Sequence, residues 1–257
     1  MHQGFKRALT AGERVVGNWI SIGHPAVGEI SAQVGFDFVV IDTEHTSTGV
    51  AEVEGVIRAV EAAGDNTASI VRVPSHDPAR IKRVLDAGAG GIMVPMVETA
   101  DDAEAVVEAT RYPPEGVRGA APARASDYGG SFDEYFATAN DRLVTIVQVE
   151  SQEGVENVAE IAAVEGVDAI QIGQGDLSAS LGVFGEWSSD EFEDAVDEIV
   201  TASHDADVPV GMLALDHDGI DRWLDAGVDF LIVGADMVYL TKGARAAKAH
   251  FEERIGE

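Results

Sequence analysis

Eight short apolar runs rich in Val and Ile recur along the chain, at residues 15–22, 36–43, 67–73, 91–96, 143–150, 168–173, 208–213 and 230–234. They do not alternate apolar with polar residues. Each therefore reads as a strand buried on both faces, the pattern of a parallel sheet covered by helices. Between most of them the apolar positions shift to a helical period. In 51–63, Val53, Val56, Ile57 and Val60 share one face. The segments 78–87, 100–109, 153–164, 190–205, 219–226 and 241–251 behave likewise. Gly64, Gly88, Gly166 and Gly227 stand where a helix C-terminus favours a left-handed residue.

A phrase of helix end, tight turn and strand also repeats. It reads Asp86-Ala87-Gly88-Ala89, Val164-Glu165-Gly166-Val167-Asp168 and Asp225-Ala226-Gly227-Val228-Asp229. About eight such βα units close most naturally as an α/β fold of the (β/α)8 TIM barrel type. The 257 residues suit one barrel and show no linker, which predicts a single domain over 1–257. A doubly wound sheet is the alternative. It favours a Gly-rich dinucleotide turn after its first strand, where this chain has Ile22-Gly23-His24-Pro25. The longest irregular stretch, 111–131, has a length usually reserved for function.

Charge narrows the partners. Lys and Arg number 17 against 46 Asp and Glu, a formal net charge of −29. That balance repels nucleic acid and anionic membranes, so neither is an expected partner. The acid is dispersed, and Lys6, Lys82, Lys242 and Lys248 are the only lysines, a surface suited to concentrated salt and read as halophilic. The chain has no cysteine, so thiolate chemistry and disulfides are excluded. The start MHQGFKRALT has no apolar leader core and no 18-residue apolar stretch follows, which predicts a soluble, cytoplasmic protein.

The ends of the predicted strands carry the chemistry, as a barrel mouth requires. They read Asp42-Thr43-Glu44-His45, Arg72-Val73-Pro74, Gln148-Val149-Glu150 and Gln174-Gly175-Asp176. Glu150 and Asp176, from adjacent strands, form a hard oxygen pair for Mg²⁺ or Mn²⁺. The alternative is that each only caps a helix or turn. Arg72 offers a fork for a carboxylate, or else pairs structurally with Glu44 or Asp42. His45 is the best general base by type. His24 is a further pocket candidate, and His2, His204, His217 and His250 read as surface. No lysine falls at a strand end, which argues against Schiff-base chemistry and leaves a Lewis-acid metal to stabilise an enolate. The acidic loops after the last two strands disfavour a sugar phosphate and point to a small carboxylate.

Taken together these motifs resemble the HpcH/HpaI aldolase family, class II metal-dependent pyruvate aldolases of the phosphoenolpyruvate-binding barrel superfamily. The resemblance runs nearly end to end. It rests on Gly17-Asn18-Trp19, Gly23-His24-Pro25, the strand ends above, Val94-Pro95-Met96, Arg111-Tyr112-Pro113-Pro114, Gly116-Val117-Arg118-Gly119, Ala123-Arg124-Ala125-Ser126 and Gly175-Asp176-Leu177-Ser178.

It implies cleavage or formation of 4-hydroxy-2-oxo acids, such as 2-dehydro-3-deoxy sugar acids, into pyruvate and an aldehyde. Glu150 and Asp176 match the metal carboxylates, with Mg²⁺, Mn²⁺ or Co²⁺ as the cofactor. Arg72 matches the residue that holds the pyruvate carboxylate, and His45 the catalytic histidine. Asp86 matches an aspartate that pairs with that histidine across a subunit boundary. Gln148 lies near the keto oxygen, and Gly175 and Asp176 lie beside the substrate. The family assembles as hexamers, trimers of dimers, often by exchange of the C-terminal helix, here about 241–257.

The chain departs from the family at Ser75-His76-Asp77, where many relatives read Trp-Asn-Asp, and at Gln174, where many have proline. Two other readings stay open: a lyase acting on a CoA thioester of the citrate lyase beta or malyl-CoA type, and a non-catalytic 2-oxo acid binding protein.

Overall fold

The computed structural model describes residues 3–64 and 66–256. Met1, His2, Asp65 and Glu257 lie outside them, and with them the surface reading of His2 and the last residue of the expected C-terminal helix. Eight parallel strands form a closed barrel in sequence order: β1 (Val16–Ile20), β2 (Phe38–Asp42), β3 (Ala68–Arg72), β4 (Gly91–Val94), β5 (Val144–Val149), β6 (Ala169–Ile172), β7 (Val210–Ala214) and β8 (Phe230–Ala235). All eight predicted strands are present, each trimmed or moved by a residue or two.

The helices, in chain order, are α1 (Gln3–Thr10), α2 (Pro25–Val34), α3 (Val50–Ala63), α4 (Pro78–Asp86), α5 (Ala100–Thr110), α6 (Phe132–Arg142), α7 (Gln152–Glu156), α8 (Val158–Ala162), α9 (Gln174–Ser180), α10 (Asp190–Asp205), α11 (His217–Asp225) and α12 (Asp236–Ile255). Among the described residues no helix is long and apolar enough to cross a membrane.

Strand register explains the burial on both faces. Val39, Ile41, Val71, Ile92, Val147 and Ile170 face outward, into the layer packed by the helices. Phe38, Val40, Ile70, Met93, Ile146 and Phe230 fill the barrel interior. Two of those rings are bulky for a small barrel, and glycines on neighbouring strands make room. A Cβ on Gly17 would lie 2.4 Å from the Phe38 ring, and one on Gly211 2.1 Å from that of Phe230. The N-terminal helix α1 supports the same core from below. Phe5 and Leu9 pack onto it, and Lys6 reaches Leu143 O at 2.8 Å and Asp168 at 3.1 Å.

Three expectations need adjustment. The single helix at 153–164 is two, because Asn157 leaves helical geometry and its amide donates to Glu98 O at 2.8 Å. Gly88, Gly166 and Gly227 are left-handed as expected, whereas Gly64 is extended at φ 169°. The stretch 111–131 is not wholly irregular. It contains a 3-10 segment, Arg124–Gly129, with Asp127 and Tyr128 at positive φ.

Candidate active site

Parallel strands deliver their C-terminal residues to one end of the barrel. There a cavity of about 230 Å³ is lined by Trp19, Arg72, Gln148, Glu150, Gly175 and Asp176, among others. The sequence-predicted residues for metal and substrate thus meet at one site.

Arg72 ends β3 and is buried. Its Nε and Nη2 donate to the two oxygens of Asp42, both at 2.9 Å. Its Nη1 lies 2.9 Å from Glu44 Oε2, an ion pair without hydrogen-bond geometry. The guanidinium carbon sits 4.6 Å over the Trp19 ring. The structural pairing left open in the sequence is therefore present, with both acids at once. Because Nη1 makes no hydrogen bond among the described residues, the guanidinium keeps donors for a ligand carboxylate. The β2 end is itself braced. Asp42 Oδ1 accepts the Glu44 N–H at 3.0 Å, and the Thr43 hydroxyl donates to Arg72 O at 2.7 Å.

Glu150 follows β5 and is only 3% exposed. Its Oε1 accepts the Met96 N–H at 2.8 Å. Met96 holds that N–H in place from a left-handed conformation, φ 53°, unusual for a side chain of its size. Helix α7 is capped by Ser151, whose hydroxyl accepts the Gly154 N–H, so Glu150 is free of that duty. Burial pushes the Glu150 carboxyl up to about 7; the Met96 bond and Arg72 oppose this, and the charges of Asp176 and Glu44 reinforce it. Glu44 is raised as well, chiefly by burial, against the pull of Arg72 and His45. Asp176, in the first turn of α9, is exposed and accepts no hydrogen bond among the described residues.

This donor set fits a divalent cation. The charges of Asp176 and Glu44 add to burial in raising Glu150, and a buried, unpartnered Gln148 amide oxygen lies beside them, so the cluster is short of positive charge. Among the described residues no three acids or histidines form a ready-made cage, so a cation here would need oxygens beyond those of the protein's acids.

Other candidates lie apart. His45 stands at the rim with its side chain 66% exposed, 3.9 Å from Glu44 Oε1. Asp86 is at the C-terminus of α4, on the opposite end of the barrel. It accepts from Arg118 Nη2 at 2.8 Å, and the buried Arg118 lies over the rings of Tyr112 and Tyr135. Within one chain it does not meet His45. His24 caps α2, its Nδ1 accepting from the Ala26 N–H at 3.2 Å, which is a structural role. Sequence reasoning named Glu44 only as an ion-pair partner and missed Trp19 and Gln171 as cavity walls. The signal available was parity, since Gly17 and Trp19 share the inward face of one strand, as do Ala169 and Gln171.

Comparison with known proteins agrees with this geometry. Residues 16–242 match the family described as HpcH/HpaI aldolase/citrate lyase. The chain is 41% identical over 251 residues to the 4-hydroxy-2-oxovalerate aldolase of Novosphingobium aromaticivorans, covering 98% of this chain and 95% of that one. It is 39% identical over 247 residues to the hydroxypyruvate/pyruvate aldolase of Roseovarius nubinhibens, covering 95% of each. Its fold is similar to the crystal structure of an HpcH/HpaI aldolase/citrate lyase family protein from Burkholderia cenocepacia, with TM-score 0.93, 38% identity, and 97% and 99% of the two chains covered.

Proposed function

This chain belongs to the HpcH/HpaI aldolase/citrate lyase family and is a carbon–carbon lyase of the class II aldolase type, and on that premise we propose that it interconverts 4-hydroxy-2-oxo acids with pyruvate and an aldehyde at the cavity around Arg72. The observation that carries the proposal is that Glu150, Asp176 and Arg72 line one cavity.

Glu150 and Asp176 hold the cation, for which their hard oxygens favour Mg²⁺ or Mn²⁺, with Co²⁺ third. When bound, it supplies Lewis-acid stabilisation of the charge that develops on the keto oxygen. Arg72 orients the carboxylate through its free N–H groups, while Asp42 and Glu44 fix its plane. Gln148 and Gly175 form the wall beside the substrate. In the cleavage direction His45 accepts the C4 hydroxyl proton, directly or through a water. The C3–C4 bond then breaks and its electron pair passes into the enolate. An aldehyde leaves and C3 takes up a proton to give pyruvate. Aldol addition is the reverse.

The assembly proposed is a hexamer built as a trimer of dimers. Its support is α12, on which Leu240, Phe251 and Ile255 are exposed. In such an assembly Asp86 of one copy would orient His45 of another. The dispersed acid and scarce lysine support a cytoplasm rich in salt as the working medium. The test is Glu150→Gln assayed by pyruvate release with added Mn²⁺. Activity should fall about 100-fold or more with the far-UV spectrum unchanged, and chelator should abolish the parent's activity. Turnover that persists in chelator would refute the metal assignment.

A further inference from the structure

We infer that Asp236 is a positioning residue for the substrate carboxylate: it fixes the mouth end of β1, and with it the Trp19 ring that lies over Arg72. The inference rests on the reading of Arg72 as the carboxylate fork. Asp236 belongs to the acidic loop after the last strand, yet it is only 8% exposed. Its carboxylate accepts three backbone N–H groups. Ser21 donates to both oxygens at 3.1 Å, Ile22 to Oδ2 at 2.8 Å and Met237 to Oδ1 at 2.7 Å. Two of those donors belong to the chain leaving β1, and the third to the first turn of α12.

The closure of the barrel explains why a side chain is needed there. β1 and β8 pair regularly at Val16 with Leu231 and at Gly17 with Ile232, but the next pair is Trp19 with Ala235. Over that step β8 holds one residue more than β1, which is a bulge. Gly234 lies in it at φ 72°, where a Cβ would run into Tyr239. The pairing ends at Trp19. Beyond it the N–H groups of Ser21 and Ile22 have no strand partner on β8, and the two carboxylate oxygens take that role. A charged acceptor makes such bonds stronger than a neutral carbonyl does.

What this fixes is the wall above Arg72. Asp42 holds two of the guanidinium nitrogens and Glu44 lies against the third, so acids set its edges. Trp19 sets its face, with the guanidinium carbon 4.6 Å from the ring centre. The indole makes no hydrogen bond among the described residues, so its backbone and its packing locate it. Release of the β1 end tilts the ring. The guanidinium then loses its cation–π contact and its alignment with an incoming carboxylate. The competing account is that Asp236 only opens α12, where an acid in the first turn is favourable in any case.

The experiment uses the Mn²⁺-loaded full chain with Asp236→Ala, Asp236→Asn, Trp19→Leu and the double variant Trp19→Leu/Asp236→Ala. Steady-state constants are measured for pyruvate with glycolaldehyde, and pyruvate affinity by calorimetry, which needs no turnover. Asp236→Ala should raise the pyruvate KM about tenfold, with kcat and the aldehyde KM within about threefold. Asp236→Asn keeps one acceptor oxygen for Ile22, and should raise it only about threefold. Trp19→Leu should raise it as well, and adding Asp236→Ala to Trp19→Leu should raise it no further. Independent multiplication of the two effects would overturn the inference. So would a loss confined to kcat or to the melting temperature. If Asp236→Ala does not fold, Asp236→Asn decides: a lower melting temperature with the parent's pyruvate KM leaves Asp236 a helix-opening residue and nothing more. A parent that binds pyruvate but forms no product would instead sink the aldolase reading, while the calorimetry still tests Asp236.

Discussion

Gly173 carries no side chain because Glu150 fills the space one would need. A Cβ there would lie 2.0 Å from Glu150 Oε2. Gly173→Ala should therefore displace the carboxylate and weaken Mn²⁺ binding by about 10–100-fold, measured by calorimetry; unchanged affinity would place the cation elsewhere. The same carboxylate makes stability depend on pH. In the cation-free protein Glu150 holds its proton up to about 7, against 4.5 ordinarily. Between those values the folded chain binds more protons than the unfolded one. Stability from this group is full below 4.5 and is lost as pH rises through 7, by roughly 3 kcal/mol. Glu150→Gln stays neutral and can still accept from Met96. In chelator at pH 8 it should melt above the parent, and equal melting temperatures would contradict the shift. Protons compete with the cation for the same oxygens, so affinity should weaken below about pH 7.

Helix α1 shows how a small element supports the site from a distance. Phe5 lies 4.9 Å from the Phe38 ring, centroid to centroid, and Phe38 in turn contacts Phe230. Phe5→Ala should cost about 3 kcal/mol in a denaturant melt, with the pyruvate KM unchanged because the cavity opens at the other end. The strands were legible in the sequence because burial on both faces leaves unbroken apolar runs, and the closed order follows from the repeated βα unit. Helix α1 was not, since it is short and polar apart from Phe5 and Leu9. Helix α2 was hidden because its buried positions are Gly28 and Ser31, which make no apolar stripe. At the site, residue type and strand ends located Arg72, Glu150 and Asp176. They did not reveal that Arg72 is shared by two acids, nor that His45 is exposed, because those depend on the loop after β2 folding back through the Asp42 and Thr43 bonds.

At the scale of the molecule, two features act together: a net charge of −29 and an extended α12. The first keeps copies apart at low ionic strength, and salt relieves it over a Debye length of about 8 Å at physiological strength. The second brings them together, since an exposed stripe of Leu240, Phe251 and Ile255 has little to bury itself against in its own chain. If neighbours supply the missing cover, folding and association are one equilibrium and mass action governs both. The thermal midpoint should then climb with protein concentration and fall on dilution. A midpoint indifferent to a hundredfold dilution would mean that this arm stands alone.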